Sequence, residues 1–192
     1  MEVLQPGNPV TTIDEAMVVA QAKRDRDAFA PLYITYFDRV YAYCYRRLGD
    51  PDDAADATSS IFARALESLS SCREASFRPW LFAIAHNILT DLFRGRRINQ
   101  PLDDRLQLPD NSPSPEDGAI ASETSRSVAR LLSQLSADQR QVLDLRLAGL
   151  TSKEIGEIIG KHPNAVDQAQ FRAIQRLRAL AGTPKSALEG LR

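Results

Sequence analysis

The side chains in this chain best suited to gripping a polyanion are Arg94, Arg96 and Arg97, which follow Arg78, His86, Asn87, Thr90 and Asp91 within one stretch. Guanidinium groups bind phosphate, while an imidazole, an amide and a hydroxyl offer donors and acceptors to base edges. The stretch, residues 76–97, reads SFRPWLFAIAHNILTDLFRGRR. Phe77, Trp80, Leu81, Ile84, Ala85, Ile88, Leu92 and Phe93 recur in it at spacings of three and four, the apolar stripe of a helix lying on a core. The polar residues fall on the other face. On periodicity alone the bland reading of that face is a solvated edge, so the choice rests on the remaining sequence.

Catalytic and metal chemistry find no constellation. His86 and Asp91 lie five apart, and Ser76 has no base beside it, so no nucleophile and base pair is assembled. The two histidines, His86 and His162, sit in separate segments, and Cys44 and Cys72 lack the paired spacing of a zinc site. The expectation is a non-enzyme with no metal and no cofactor, and with free thiols.

With 192 residues the chain is long enough for one ordinary domain or two small ones. No apolar run approaches the ~20 residues of a membrane span, and the N-terminus has no basic start followed by an apolar core. A cytoplasmic protein that engages no membrane is expected. Charge divides the chain in three: residues 1–97 have net charge −1, residues 98–124 have 1 basic against 6 acidic residues, and residues 125–192 have 11 against 6. The acidic middle is rich in Pro, Asp and Ser and lacks helical periodicity, which reads as a flexible linker. Fully extended it could reach about 90 Å, so the flanking parts can act at distant sites.

The expected fold class is all-α, with two small helical domains (1–97 and 125–182) joined by the linker 98–124 and followed by a tail, 183–192. Thr12 or Asp14 can cap a first helix bearing Ala16, Val19 and Ala20. A second runs from Phe29 through Leu32, Tyr33, Tyr36, Phe37, Val40, Tyr41, Tyr43, Cys44 and Leu48 to a stop at Gly49. Its tyrosines could stack on bases, but they share the face of Leu32 and Val40 and are read as core. Asp52 or Asp53 can cap a third helix, with Ala57, Ile61, Phe62, Ala65, Leu66 and Leu69 inward. Residues 70–76 break the pattern as an irregular loop.

Three sequences in order, DAFAPLYITYFDRVYAYCYRRLGD, DATSSIFARALESL and FRPWLFAIAHNILTDLFRGRR, resemble region 2 of the extracytoplasmic-function (ECF, group IV) sigma factors of bacterial RNA polymerase. LSADQRQVLDLRLAGLTSKEIGEIIGKHPNAVDQAQFRAIQRLR resembles region 4 of the same family. Read residue by residue, Ser136 with Gln139 and Thr151 with Glu154 form capping boxes. Val142, Leu143, Leu145, Leu147 and Leu150 supply one apolar series, and Ile155, Ile158 and Ile159 the next. Gly160 closes a helix-turn-helix, and a last helix from His162 or Pro163 buries Val166, Ala169 or Gln170, Ala173, Leu177 and Leu180.

The resemblance implies that region 2 grips the clamp helices of the largest polymerase subunit and opens the promoter at its minus 10 element. Region 4 then binds the flap of the second subunit and the minus 35 element. It also implies an anti-sigma factor as a further partner. Opening unstacks a base, costing a few kcal/mol offset by stacking and hydrogen bonds. By this resemblance Arg78, His86, Asn87 and Thr90 contact the minus 10 strand, and Arg94, Arg96 and Arg97 its phosphates. Residues 70–76 form the specificity loop, and Trp80 is core, with base stacking as the alternative. Lys153, Lys161, His162, Asn164, Asp167, Gln168, Phe171 and Arg172 face the minus 35 element, Gln170 standing as an alternative to Phe171. Asp53, Asp56, Ser59, Ser60 and Arg64 meet the polymerase.

The chain departs from the family pattern at Ala55, Ser59 and Ser60, where acidic and amide residues are common, and at Asp167, Gln168 and Ala169, where Lys-x-Arg is common. Either the last helix reads an unusual minus 35 sequence, or it binds DNA weakly and serves as a protein contact. The rival function is a sigma-like mimic that sequesters an anti-sigma factor without directing transcription. A regulator using only the helix-turn-helix leaves residues 15–97 without a role.

Overall fold

The computed structural model describes residues 14–73, 76–99 and 131–181. Their regular elements are all helical: α1 (Glu15–Ala22), α2 (Ala30–Leu48), α3 (Pro51–Glu67), α4 (Phe77–Asn99), α5 (Ala137–Leu147), α6 (Ser152–Ile159) and α7 (Pro163–Ala181), with 3-10 turns at Arg26–Phe29 and Leu69–Ser71. The fold is therefore all-α, as expected, in two helical units, α1–α4 and α5–α7. The linker 98–124, the tail 183–192 and Thr12 lie wholly or mostly outside the described residues. No helix among the described residues is long and apolar enough to cross a membrane. Cys44 and Cys72 are both buried, and burial pushes the Cys44 thiol up to about 11.

The helix ends follow local chemistry. The Asp14 carboxylate accepts from the Met17 amide and starts α1, and Gly49 stops α2 at φ 78°. α3 begins one step earlier than its acidic residues suggest: Asp50 is the cap, accepting from the Asp53 amide, and Pro51 occupies the first turn. Asp52 and Asp53 thus sit inside the helix, where their charges favour its positive end. Both capping boxes of the second unit are present, at Ser136 with Gln139 and at Thr151 with Glu154.

The core of the first unit centres on Phe77, fully buried, whose ring lies 6.1 Å from Phe29, 5.4 Å from Tyr36 and 5.8 Å from Trp80. The inward face of α4 is rotated from the expected stripe. Phe82 and Leu89 are buried beside Phe77, Leu81 and Ala85, whereas Trp80, Ile84, Ile88 and Phe93 are only partly covered and Leu92 is 41% exposed. The core of helices α1–α3 ends before Leu92, so its helical phase no longer finds anything to bury it. The tyrosines of α2 also divide. Tyr36 and Tyr43 are core, but Tyr33 and Tyr45 stand 40% and 44% exposed along an outer ladder in which Tyr41 stacks between Phe37 and Tyr45. In the second unit Leu147 points to solvent and Asp144 is buried in its place.

The turn between α6 and α7 is tight for a steric reason. A Cβ on Gly156 would come 2.4 Å from the Lys161 carbonyl oxygen, so only glycine lets that turn fold back onto α6. Gly160 closes α6 at φ 68°, and the amides of Gly160 and Lys161 both satisfy the Gly156 carbonyl.

Candidate nucleic-acid interface

The polar edge of α4 and the second unit face each other. Arg78, at the start of α4, directs its guanidinium to Glu154 of α6 at 3.6 Å and beside Gly149. Although burial opposes it, the Thr151 amide and hydroxyl together with Arg78 hold the Glu154 carboxyl below its usual range. About two turns farther along α4, the Gln141 amide nitrogen of α5 lies 3.1 Å from His86 Nδ1. Burial, and then the Arg47 charge, keep the His86 imidazole below its ordinary 6.5, so it is neutral at this contact.

A third contact comes from α2. Arg46 Nε donates to Asp144 Oδ1 of α5 at 3.0 Å, and a second guanidinium nitrogen reaches the Asp144 carbonyl at 3.4 Å. The carboxylate is nearly sealed, with 5% of its side chain exposed. Burial raises its pKa against the pull of Arg46, as befits a desolvated acid. Around these polar contacts the buried apolar residues of the two units form one continuous cluster. Arg46, Gln141 and Asp144 were not singled out from sequence, and Glu154 was read there only as part of a capping box. The one available signal was a carboxylate, Asp144, amid an apolar run.

Asn87, Thr90 and Arg94 of α4 take no part in these three contacts. Asn87 is exposed, and Thr90 donates within the helix to the His86 carbonyl at 2.8 Å. Arg94 is exposed and 3.5 Å from Asp91, a surface pair of little energetic weight. Arg96 and Arg97 lie on the helical backbone that ends at Asn99. Beside the start of α4 an open cleft of about 560 Å³ is lined by residues including Ser71, Arg73, Ser76 and Trp80 on one side and Lys153 and Glu157 on the other.

On α3, Asp56, Ser59, Ser60 and Arg64 are exposed, with Asp53 half-buried at the same side. Their spacing places them along one surface of the helix. Arg64 reaches Glu67 at 3.5 Å, another exposed pair. In the second unit Lys153, His162, Asn164, Gln168 and Arg172 are exposed, and Phe171 is 63% exposed. Lys161 pairs with Asp138 at 2.5 Å, and His162 Nδ1 accepts from the Asn164 amide, capping α7. Asp167 is held by the Ser152 hydroxyl and by Arg146, 3.4 Å away.

Residues 32–98 match the family model for Sigma-70 region 2, and residues 125–177 match that for Sigma-70, region 4. The chain is 32% identical over 181 residues to the ECF RNA polymerase sigma factor BldN of Streptomyces coelicolor, covering 90% of this chain and 69% of that one. It is 34% identical over 184 residues to the ECF RNA polymerase sigma factor ShbA of Streptomyces griseus, covering 89% and 96%. Its fold is similar to that of CnrH, solved in complex with the cytosolic domain of CnrY, with TM-score 0.65, 24% identity and coverage of 88% and 99%. The sigma factor RpoE of Bartonella quintana, solved with the anti-sigma factor NepR, gives TM-score 0.65 at 20% identity, covering 82% and 98%.

Proposed function

The chain belongs to the ECF RNA polymerase sigma factors, and from that premise we propose that it binds core RNA polymerase, recognises the minus 10 and minus 35 elements of a promoter, and starts transcription there. Members of the family are initiation factors, not enzymes. The observation that carries the reading is the presence of both regions in order on one chain, each with an exposed polar helix face available to a partner.

Region 2 spans residues 1–97 in this proposal. The α3 surface of Asp53, Asp56, Ser59, Ser60 and Arg64 meets the clamp helices, and the α4 edge from Arg78 to Arg97 meets the minus 10 strand. Region 4, residues 125–182, meets the flap and sets α7 in the major groove at the minus 35 element. The linker 98–124 spans the distance between the two. Because Arg78 and His86 face region 4 in the described arrangement, minus 10 engagement requires the regions to separate. An anti-sigma factor is proposed as a partner because CnrH and RpoE were solved with CnrY and NepR. A cytoplasmic location follows from the polymerase and promoter it serves.

In vitro transcription with purified core polymerase and a promoter library tests this. Specific initiation from a subset of templates is expected. No initiation from any template, combined with tight binding of an anti-sigma factor, would favour the sequestering mimic.

A further inference from the structure

Arg146, in the last turn of α5, spends its guanidinium inside the second unit. Its Nε donates to the Gln170 side-chain oxygen at 2.9 Å and one terminal nitrogen to the Leu150 carbonyl at 3.0 Å. The other reaches the Ser152 hydroxyl at 2.5 Å and Asp167 Oδ1 at 3.4 Å. Ser152 in turn donates its hydroxyl proton to the same Asp167 oxygen. A guanidinium has five N–H donors in a fixed fork, so this set leaves little of it for a phosphate. α7 is thereby tied at Asp167 and Gln170 to the ends of α5 and α6, on the side where Val166 and Ala173 are fully buried.

The opposite side of α7 differs in chemistry. Asn164, Gln168 and Phe171 follow one another at spacings of four and three, which puts them on one outward stripe, and all three are exposed. A side-chain amide presents a donor and an acceptor that match adenine N6 and N7, and an apolar ring packs on the thymine methyl. Guanine is read best by Arg or Lys, and this stripe has neither.

Resting on the sigma-factor reading above, we propose that Asn164, Gln168 and Phe171 read the minus 35 element and select A·T pairs where they face it. Asp167 and Gln170 belong to the seat of the helix, and Arg146 is the positioning residue that fixes this seat. The aspartate that stands where the family has a cation is then an anchor for α7, not a reader of cytosine.

The test is transcription by holoenzyme, assembled from the full chain and core polymerase, on templates randomised at the minus 35 element, with sequencing of those transcribed. The wild-type chain is expected to enrich A or T at the positions facing the stripe. Gln168→Ala and Asn164→Ala are each expected to lower the preference roughly tenfold at one position and leave the rest. Asp167→Ala and Arg146→Ala are expected to lower the contrast at all positions together, with Arg146→Lys between Arg146→Ala and wild type. Asp167 is an exposed residue, so its variant answers the question even if Arg146→Ala does not fold. Lower yield with full contrast in the Arg146 and Asp167 variants would reduce the network to scaffolding and overturn the assignment. Loss at a single position in Asp167→Ala, with none in Gln168→Ala, would overturn it too. Wild-type initiation without minus 35 preference sinks this proposal alone, whereas no initiation at all sinks the sigma-factor reading with it.

Discussion

Tyr43 and Asp144 are both polar and both buried, and only one has a partner. The Tyr43 ring is fully buried edge-on to Phe82 at 5.6 Å, and its hydroxyl has no hydrogen-bond partner among the described residues. Burial pushes the phenol well above its usual range, so it remains neutral. An orphaned buried hydroxyl costs free energy that a hydrogen atom in its place does not. Tyr43→Phe is therefore expected to leave stability unchanged or raise it by about 1 kcal/mol in urea unfolding. A clear loss would mean that the hydroxyl is satisfied. Asp144 shows where residue-level reading of sequence stops. In the run VLDLRL the leucines suggest the core, yet Leu147 is 69% exposed while Asp144 is buried. A carboxylate there is tolerable only because Arg46 lies against it, 98 positions earlier in the chain. No local pattern reports a partner so remote.

At the scale of elements the signals are local, and most were legible. Caps at Asp14, Ser136 and Thr151, the stops at Gly49 and Gly160, and the α7 start at Pro163 all act within a few residues of themselves. Errors arose where an element outruns its neighbours, as at Leu92, or where one helix face is wider than the core it meets, as at Tyr33. What periodicity cannot supply is the closeness of a turn. Gly156→Ala puts a methyl into the Lys161 carbonyl, a backbone atom with no rotamer to escape through. A loss of roughly 1–3 kcal/mol is expected in thermal or urea unfolding, because the turn must shift. Equal stability of the variant would show that the turn has slack.

At the scale of the whole molecule, the joint between the regions rests on Arg46 with Asp144, Arg78 with Glu154 and His86 with Gln141. Removing one partner of a buried ion pair leaves an uncompensated charge, at a cost on the order of 3 kcal/mol. Arg46→Ala is thus expected to separate the regions, read as a longer dye-to-dye distance between α3 and α7. Arg46→Asp combined with Asp144→Arg is expected to bring them back. An unchanged distance in Arg46→Ala would show that the apolar cluster alone holds the joint.

His86 adds a pH dependence. Its pKa is depressed in the closed arrangement and returns toward 6.5 when separation exposes it. The closed form accordingly has its full stability above about 6.5 and loses it as pH falls through the lowered value. The same dye pair is expected to lengthen between pH 7 and 5 in the wild type and to change less in His86→Asn. Identical profiles would assign the transition to other groups, Glu154 first among them, because the Thr151 hydrogen bonds and Arg78 hold its carboxyl low in the closed arrangement.

The burial of the Arg46–Asp144 pair also has a consequence in ionic strength. Salt screens exposed charges but barely reaches a carboxylate with 5% of its surface in water. A grip on phosphates, by contrast, weakens steeply as counterions compete for the DNA. Added salt therefore acts on the two competing states unequally, stripping the open protein from the promoter while leaving the folded-together chain almost untouched. A change in ionic strength alone is expected to bias the partition between the chain on DNA and the chain closed on itself.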